Sequence, residues 1–224
     1  MNEHSEASDF VYVLDDDVYV RQGLDSLLQS VGLRVATFAS VKEFLACERP
    51  DVASCLVLDI RMPGLSGLEF QAELIKLKVD IPIIFITGHG DIPMTVQAMK
   101  AGAVEFLTKP IREQDLLHAV RIALDRDRAQ RNNTKAITHM QARFEALTSR
   151  ERDVVARVTT GKMNKQVAAE IGISEVAVKV HRHNAMKKLG ARSLADLVRM
   201  ADAVGIGAAS YALGEIRISV RSDY

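Results

Sequence analysis

Five side chains suited to phosphoryl chemistry are spread through the first half of the sequence: Asp15 and Asp16, Asp59, Thr87 and Lys109. Each stands at the end of an apolar, β-rich run, at residues 10–14, 55–58, 81–87 and 104–107. A carboxylate at the mouth of a buried strand costs free energy unless something there uses it. Asp59 can act as a nucleophile, with an acyl phosphate as its covalent product. Clustered carboxylates raise one another's pKa unless a cation sits among them. Magnesium suits the set, being a hard ion that takes one or two carboxylates and meets phosphate oxygens. Asp15 and Asp16 would hold it, Asp59 would be both ligand and nucleophile, and a backbone carbonyl near Arg61 could complete its shell. The Thr87 hydroxyl can donate to one phosphoryl oxygen and Lys109 can neutralise another, while Gly88 leaves room beside them.

Each residue also has a plain reading. Asp59 can open a turn with Pro63, Gly64, Ser66 and Gly67, Thr87 can be a strand-end hydroxyl, and Lys109 a surface lysine. Asp17 is better read as a helix-start residue than as a ligand. The elements around these residues favour the joint reading. Amphipathic segments at 18–30, 41–47, 65–77, 92–101 and from 113 alternate with the strands at 10–14, 34–38, 55–58, 81–87 and 104–107. Gly32 and Gly102 stop two of the helices. This alternation gives a flavodoxin-like α/β domain: a five-stranded parallel sheet, order 2-1-3-4-5, covered on both faces. Sites in such sheets form outside the carboxyl ends of the strands, where all five side chains land.

Composition sets the frame. The 224 residues are 48% hydrophobic and 26% charged, which suits one large or two medium domains. Residues 1–124 carry 18 acidic and 11 basic side chains, a net of −7, and residues 125–224 carry the reverse, +7. An acidic half joined to a basic half points to two domains with different partners. Cys47 and Cys55 have no metal-ligand spacing and read as core cysteines in a reducing compartment. The acidic N-terminal stretch, 1–9, is not a signal peptide. No apolar run approaches the ~18 residues of a membrane span, so a cytoplasmic protein without membrane contact is expected.

Residues 10–124 resemble the receiver domain of two-component response regulators. The likeness is carried by Asp15-Asp16, Asp59 with Met62-Pro63-Gly64 and Gly67, Thr87-Gly88 and Lys109-Pro110. It implies bound Mg²⁺, phosphorylation of Asp59 by a sensor histidine kinase, a cis Lys109–Pro110 bond, and a switch in which Phe106 moves with Thr87. From the residues alone Phe106 reads equally well as core, and His89 reads as a loop residue.

After Leu116, Leu117, Val120 and Leu124, residues 125–135 turn strongly hydrophilic and mark a domain boundary, with a helical linker over 125–143. Ile137, Met140, Phe144 and Leu147 form a short a/d seam, which either joins protomers or packs on the next domain. Thr148 and Glu151 form a capping box opening a helix with Val154, Val155 and Val158 inward and Gly161 at its end. Asn164 is expected to cap a second helix, Ser174 a third over 175–189, and Ser193 a fourth with Leu194, Leu197, Val198 and Ala201. Short capped helices with short joints match a helix-turn-helix domain. On the third helix, Val178, Ala185 and Leu189 share one face, while Val176, Lys179, Val180, His183 and Lys187 share the other. Valines mixed with cations suit a helix in the major groove, meeting base edges and thymine methyls. A solvated basic face is the plain alternative. Lys162, Lys165, Lys188 and Arg192 would meet phosphates. His181 and His183 lack further ligands for zinc, and Arg182 falls on the apolar side without a sequence-level explanation.

Residues 144–204 resemble the LuxR-type four-helix domain of NarL/FixJ response regulators, through Leu147-Thr148, Arg150-Glu151, Gly161, Asn164-Lys165, Val178-Lys179-Val180-His181 and Lys188-Leu189. That likeness implies base reading by Lys179, Val180 and His183, and pairing of protomers through the helix at 193–200. Asn184 and the Gly90-Asp91-Ile92-Pro93 loop are similar to the FixJ and StyR branch. Residues 205–224 match no pattern. The expected function is transcriptional regulation switched at Asp59, with duplex promoter half-sites, a phosphorylation-dependent homodimer and RNA polymerase as partners. An enzyme acting on external substrates is not expected. Two alternatives are an aspartyl-phosphate hydrolase, which leaves residues 144–204 unexplained, and a phosphorylation-independent DNA-binding protein whose receiver is a dimerisation scaffold.

Overall fold

A computed structural model describes residues 9–88 and 92–206. The expectations for residues 1–8, for His89 to Asp91 and for the tail beyond Ile206 lie outside the described residues. The chain forms two compact units that divide between Asn132 and Asn133.

The first unit is a parallel sheet ordered β2-β1-β3-β4-β5, from β1 (Phe10–Leu14), β2 (Arg34–Phe38), β3 (Ser54–Asp59), β4 (Ile83–Thr87) and β5 (Glu105–Thr108). The inner strands β1, β3 and β4 are largely apolar runs because both faces are covered. Alternate residues Val11, Val13, Cys55, Val57, Ile84 and Ile86 pack with Leu24 and Leu28 of α1 (Val18–Ser30) and Leu116 and Val120 of α5 (Glu113–Glu145). The intervening Tyr12, Leu14, Leu56, Leu58 and Phe85 pack with Phe44 of α2 (Val41–Ala46), Phe70 and Leu74 of α3 (Gly67–Lys76) and Ala98 of α4 (Ile92–Lys100). Phe106 packs half-buried against this second layer. Cys55 is in the core, where burial pushes its thiol well above the usual range.

Residues 125–131, at the start of the hydrophilic stretch, are fastened to the first unit. Asp127 is buried and accepts the N–H of Ser54, the first residue of β3, at 2.8 Å. Arg131 donates Nε to Asp127 at 2.5 Å and Nη1 to Asp51 at 2.8 Å, while Arg128 reaches Asp9 at 2.6 Å. The hydrophilic side chains here are an ionic fastening to the amino-terminal edge of the sheet. α5 also continues unbroken through Asn132, Asn133 and Thr134, despite their weak helix propensity.

The second unit packs α6 (Ser149–Val158), α7 (Asn164–Ile171), α8 (Glu175–Leu189) and α9 (Leu194–Ala203) around Val154, Val155, Val158, Val167, Val178, Leu189 and Leu197. Phe144 and Leu147 are buried in this core with Met140 against it, so that part of the a/d seam packs within the unit. Thr148 and Glu151 form the expected capping box, and Ser174 and Ser193 cap α8 and α9. One expectation is corrected. Asn164 is the first residue of α7 rather than its cap; the cap is Met163, which has no side-chain cap bond, and Gln166 Oε1 supplies only the reciprocal half of a capping box by accepting the Met163 N–H at 2.8 Å. On α9, Leu197 and Ala201 are buried and Leu194 is exposed. Among the described residues, no helix is long and apolar enough to cross a membrane.

Candidate functional site

The turns after β1 and β3 bring the acidic residues together. Asp59 ends β3, and its register partner on β4 is Ile86, one residue before Thr87. The turn behind it depends on Gly67. A Cβ there would stand 2.8 Å from the Asp59 carbonyl oxygen and 3.0 Å from Ile60 Cα, so α3 starts against backbone. Ser66 and Glu69 cap that start reciprocally.

Asp15, Asp16 and Asp59 each offer a carboxylate oxygen, and these oxygens lie within 4.8 Å of one another. Asp15 and Asp59 are buried and Asp16 is exposed. Lys109 joins the buried pair, with Nζ 2.7 Å from Asp15 Oδ2 and 2.8 Å from Asp59 Oδ2. The other oxygens accept main-chain donors: Asp15 Oδ1 from Asp17 N at 2.9 Å, and Asp59 Oδ1 from Arg61 N at 3.1 Å. Burial holds the Asp15 carboxyl above its usual range, against the pull of Lys109 and the Asp17 N–H. Burial also pulls the Lys109 ammonium down, but its two carboxylate partners outweigh this and leave it raised. Thr87 is fully buried at the end of β4, and its carbonyl accepts the Lys109 N–H at 2.7 Å. The Lys109–Pro110 bond is cis. Asp17 is the N-cap of α1, accepting from the N–H groups of Tyr19 and Val20. Sequence reasoning missed Arg21, whose Nη1 donates to the carbonyls of Asp15 at 2.7 Å and Asp16 at 3.0 Å and pins the acidic turn.

Three carboxylates and one ammonium leave a surplus of negative charge among oxygen donors only. That donor set fits a hard divalent cation such as Mg²⁺, with Asp15, Asp16 and Asp59 as the side chains able to hold it. If they do, Mg²⁺ at about 100 times its Kd stabilises the first unit by ~2.7 kcal/mol. Asp15→Asn and Asp16→Asn each remove most of that gain. Thermal unfolding with and without the ion checks this.

The second candidate surface is the outer face of α8. Val178, Ala185 and Leu189 are fully buried, whereas Val176 is 69% and Val180 51% exposed, with Lys179, His183 and Lys187 exposed beside them. Lys179 lies 3.4 Å from Glu175. Two of the cations expected at phosphates are engaged within the unit. Lys162 meets Glu170 at 2.6 Å, and Lys188 meets the buried Glu151 at 2.7 Å. Lys165, Lys187 and Arg192 remain exposed. Arg182 also gains a physical reason, since its Nη1 donates to Asn164 Oδ1 at 3.2 Å and braces α8 against α7.

A doubly wound domain with an acidic pocket, followed by a helix-turn-helix domain, defines a two-component response regulator of the DNA-binding kind. Residues 11–121 match the response regulator receiver domain family, and residues 145–201 match the bacterial regulatory proteins of the luxR family. Nodulation protein W of Bradyrhizobium diazoefficiens is 55% identical over 207 residues, 92% of this chain and 91% of that protein. Response regulator protein TmoT of Ectopseudomonas mendocina is 50% identical over 192 residues, 86% and 87% of the two chains. The solved structure of response regulator StyR superposes with a TM-score of 0.77 at 51% identity, covering 88% of this chain and 99% of that one. The chain belongs to the NarL/FixJ family of response regulators. Its receiver domain implies a histidine kinase partner, and its LuxR-type domain implies DNA binding.

Proposed function

We propose that this protein is a transcriptional regulator whose DNA binding is switched by phosphorylation of Asp59 from a sensor histidine kinase. The observation that carries this reading is the Lys109 ammonium shared between the buried Asp15 and Asp59 carboxylates at 2.7 and 2.8 Å. An Asp59 oxygen forms the new P–O bond as the P–N bond to the partner histidine breaks, and the released imidazole nitrogen takes a proton. A bound Mg²⁺ supplies charge neutralisation for the phosphoryl oxygens. Lys109 transfers one of its hydrogen bonds from the Asp59 carboxylate to the phosphoryl group, and the Thr87 hydroxyl donates to another of its oxygens. The shift of Thr87 biases the Phe106 ring and alters the surface of α4 and β5. Ile92, Val96 and Met99 already stand exposed on α4, which supports this surface as the place where phosphorylated protomers pair. Residues 193–200 would pair the DNA-binding units on two half-sites, where RNA polymerase becomes a further partner.

On DNA, Val176, Lys179, Val180 and His183 meet base edges, and Lys165, Lys187 and Arg192 meet phosphates. Val180→Ala or Lys179→Ala should cost ~1–3 kcal/mol on the preferred site and relax the preference at one base position. Lys165→Ala should weaken all duplexes alike and lower the salt slope by about 1. Filter-binding titrations across salt concentrations separate the two kinds of loss. The function is tested by selecting duplexes from random DNA with and without a small phosphodonor and Mg²⁺. Paired half-sites enriched with the phosphodonor are expected. Equal enrichment in both arms would favour the receiver as a passive scaffold, and no enrichment in either would overturn the DNA reading.

A further inference from the structure

The carboxyl end of α8 is supported from outside the helix. Gly190, at φ +75°, closes it by donating its N–H to the carbonyls of Lys187 and Met186, and the Ala191 N–H reaches the Met186 carbonyl at 2.9 Å. A continued helix would offer the Lys188 carbonyl the N–H of Arg192, but that N–H donates to Asp196 Oδ2 at 3.1 Å. Arg143, in the last turn of α5, fills the gap: Nε and Nη2 both donate to the Lys188 carbonyl, at 3.2 and 3.1 Å. Glycine at 190 makes the approach possible, because a Cβ there would stand 2.5 Å from Arg143 Nη2. The Lys188 side chain is held at the same place. Its ammonium meets Glu151 Oε2 at 2.7 Å, and that oxygen also accepts the Thr148 N–H at 2.8 Å. The end of α8 is therefore tied to the end of α5 and to the start of α6. A guanidinium at a helix carboxyl end is also favoured by the negative end of the helix dipole.

We propose that Arg143 is a positioning residue for DNA recognition, fixing the last turn of α8 so that Val176, Lys179, Val180 and His183 meet the base edges in one orientation. This rests on the reading of α8 as the recognition helix. Base-edge hydrogen bonds depend steeply on angle, whereas counterion release at phosphates does not depend on base sequence. Arg143 has its Nε and Nη2 engaged on a main-chain carbonyl, and in this role it touches no phosphate. Its loss therefore lowers discrimination between sequences and leaves the electrostatic part of binding unchanged.

The test uses the full chain, treated with a small phosphodonor and Mg²⁺, and carrying Arg143→Met or Arg143→Lys. Affinity is measured for the best duplex that the unsubstituted protein selects from random DNA and for a scrambled duplex of equal length, over a range of salt. With Arg143→Met, affinity for the selected duplex should fall about tenfold, the size of one lost base-pair contact. Affinity for the scrambled duplex and the salt slope should stay unchanged. Arg143→Lys, which can still donate to the carbonyl, should recover part of the loss. Without DNA, amide exchange of Leu189, Gly190 and Ala191 should quicken in Arg143→Met, and Arg143→Gln carries the comparison should that variant fail to fold. Unchanged discrimination would overturn the proposal, as would equal losses on both duplexes with a slope lower by about one, the signature of a phosphate contact. If the unsubstituted protein cannot tell the two duplexes apart, the recognition-helix reading itself fails. If it can, and Arg143→Met discriminates equally well, only the role of Arg143 is lost.

Discussion

Asp59→Asn is expected to abolish covalent phosphorylation: incubated with a small phosphodonor and Mg²⁺, the variant should gain no phosphoryl mass, while the unsubstituted protein gains one phosphoryl group. The amide is nearly isosteric and its oxygen can still accept the Arg61 N–H that Asp59 Oδ1 accepts at 3.1 Å. Lys109 keeps its 2.7 Å bond to Asp15. The fold around the site is thus retained, and what disappears is the anionic oxygen able to form the P–O bond. Intact-mass measurement checks the result. An adduct of equal yield in the variant would move the acceptor away from Asp59. The same loss in Lys109→Ala should be partial, because that residue stabilises charge rather than forming the bond.

Gly67→Val is expected to be the most destabilising single change in the first unit. Its Cβ would stand 2.8 Å from the Asp59 carbonyl oxygen, 3.0 Å from Ile60 Cα and 3.1 Å from the Phe85 ring. Two of those three neighbours are main-chain atoms of the turn that carries Asp59, so relief requires moving the site itself. Overpacking against atoms that cannot rotate away costs roughly 3 kcal/mol or more, about 10 °C in the Tm of this unit. Any folded fraction should also phosphorylate poorly, because the Asp59 turn would be displaced. Gly64 is the contrast. At φ +86° with open space around it, its replacement by Ala strains the backbone without a clash and should cost about 1 kcal/mol. Thermal unfolding followed by circular dichroism ranks the two.

Much of this architecture could be read from the residues. The strand order follows from the flavodoxin-like pattern that suits five βα units, and the apolar runs ending in Asp15, Asp59, Thr87 and Lys109 bring the site residues to one edge, because a parallel sheet has only one carboxyl edge. The caps Ser174 and Ser193 and the Thr148–Glu151 box were legible because capping is a local interaction spanning three residues. What could not be read depends on partners far apart in sequence. Asp127 and Arg131 have the composition of a solvated linker, yet Asp127 bonds the amide of Ser54, 73 residues earlier. Arg182 falls on an apolar face by angle alone, and its acceptor is Asn164, 18 residues earlier. Lys188 is one more cation in the sequence, and only the fold shows Glu151 beside it. Charged side chains carry no periodic signal that distinguishes a fastening from a wet surface. A signal did exist for Asn164, since Gln166 three residues after Met163 is the reciprocal half of a capping pair.

The central claim is that a phosphoryl group on Asp59 changes how tightly the second unit holds DNA. The most direct measurement is the Kd for a selected duplex at fixed salt, taken for the unsubstituted protein and for Asp59→Asn, each with and without phosphodonor and Mg²⁺. Phosphorylation should tighten binding of the unsubstituted protein by about tenfold or more, a coupling of at least ~1.4 kcal/mol, and leave Asp59→Asn unmoved. Equal affinity of the phosphorylated and unphosphorylated protein would contradict it.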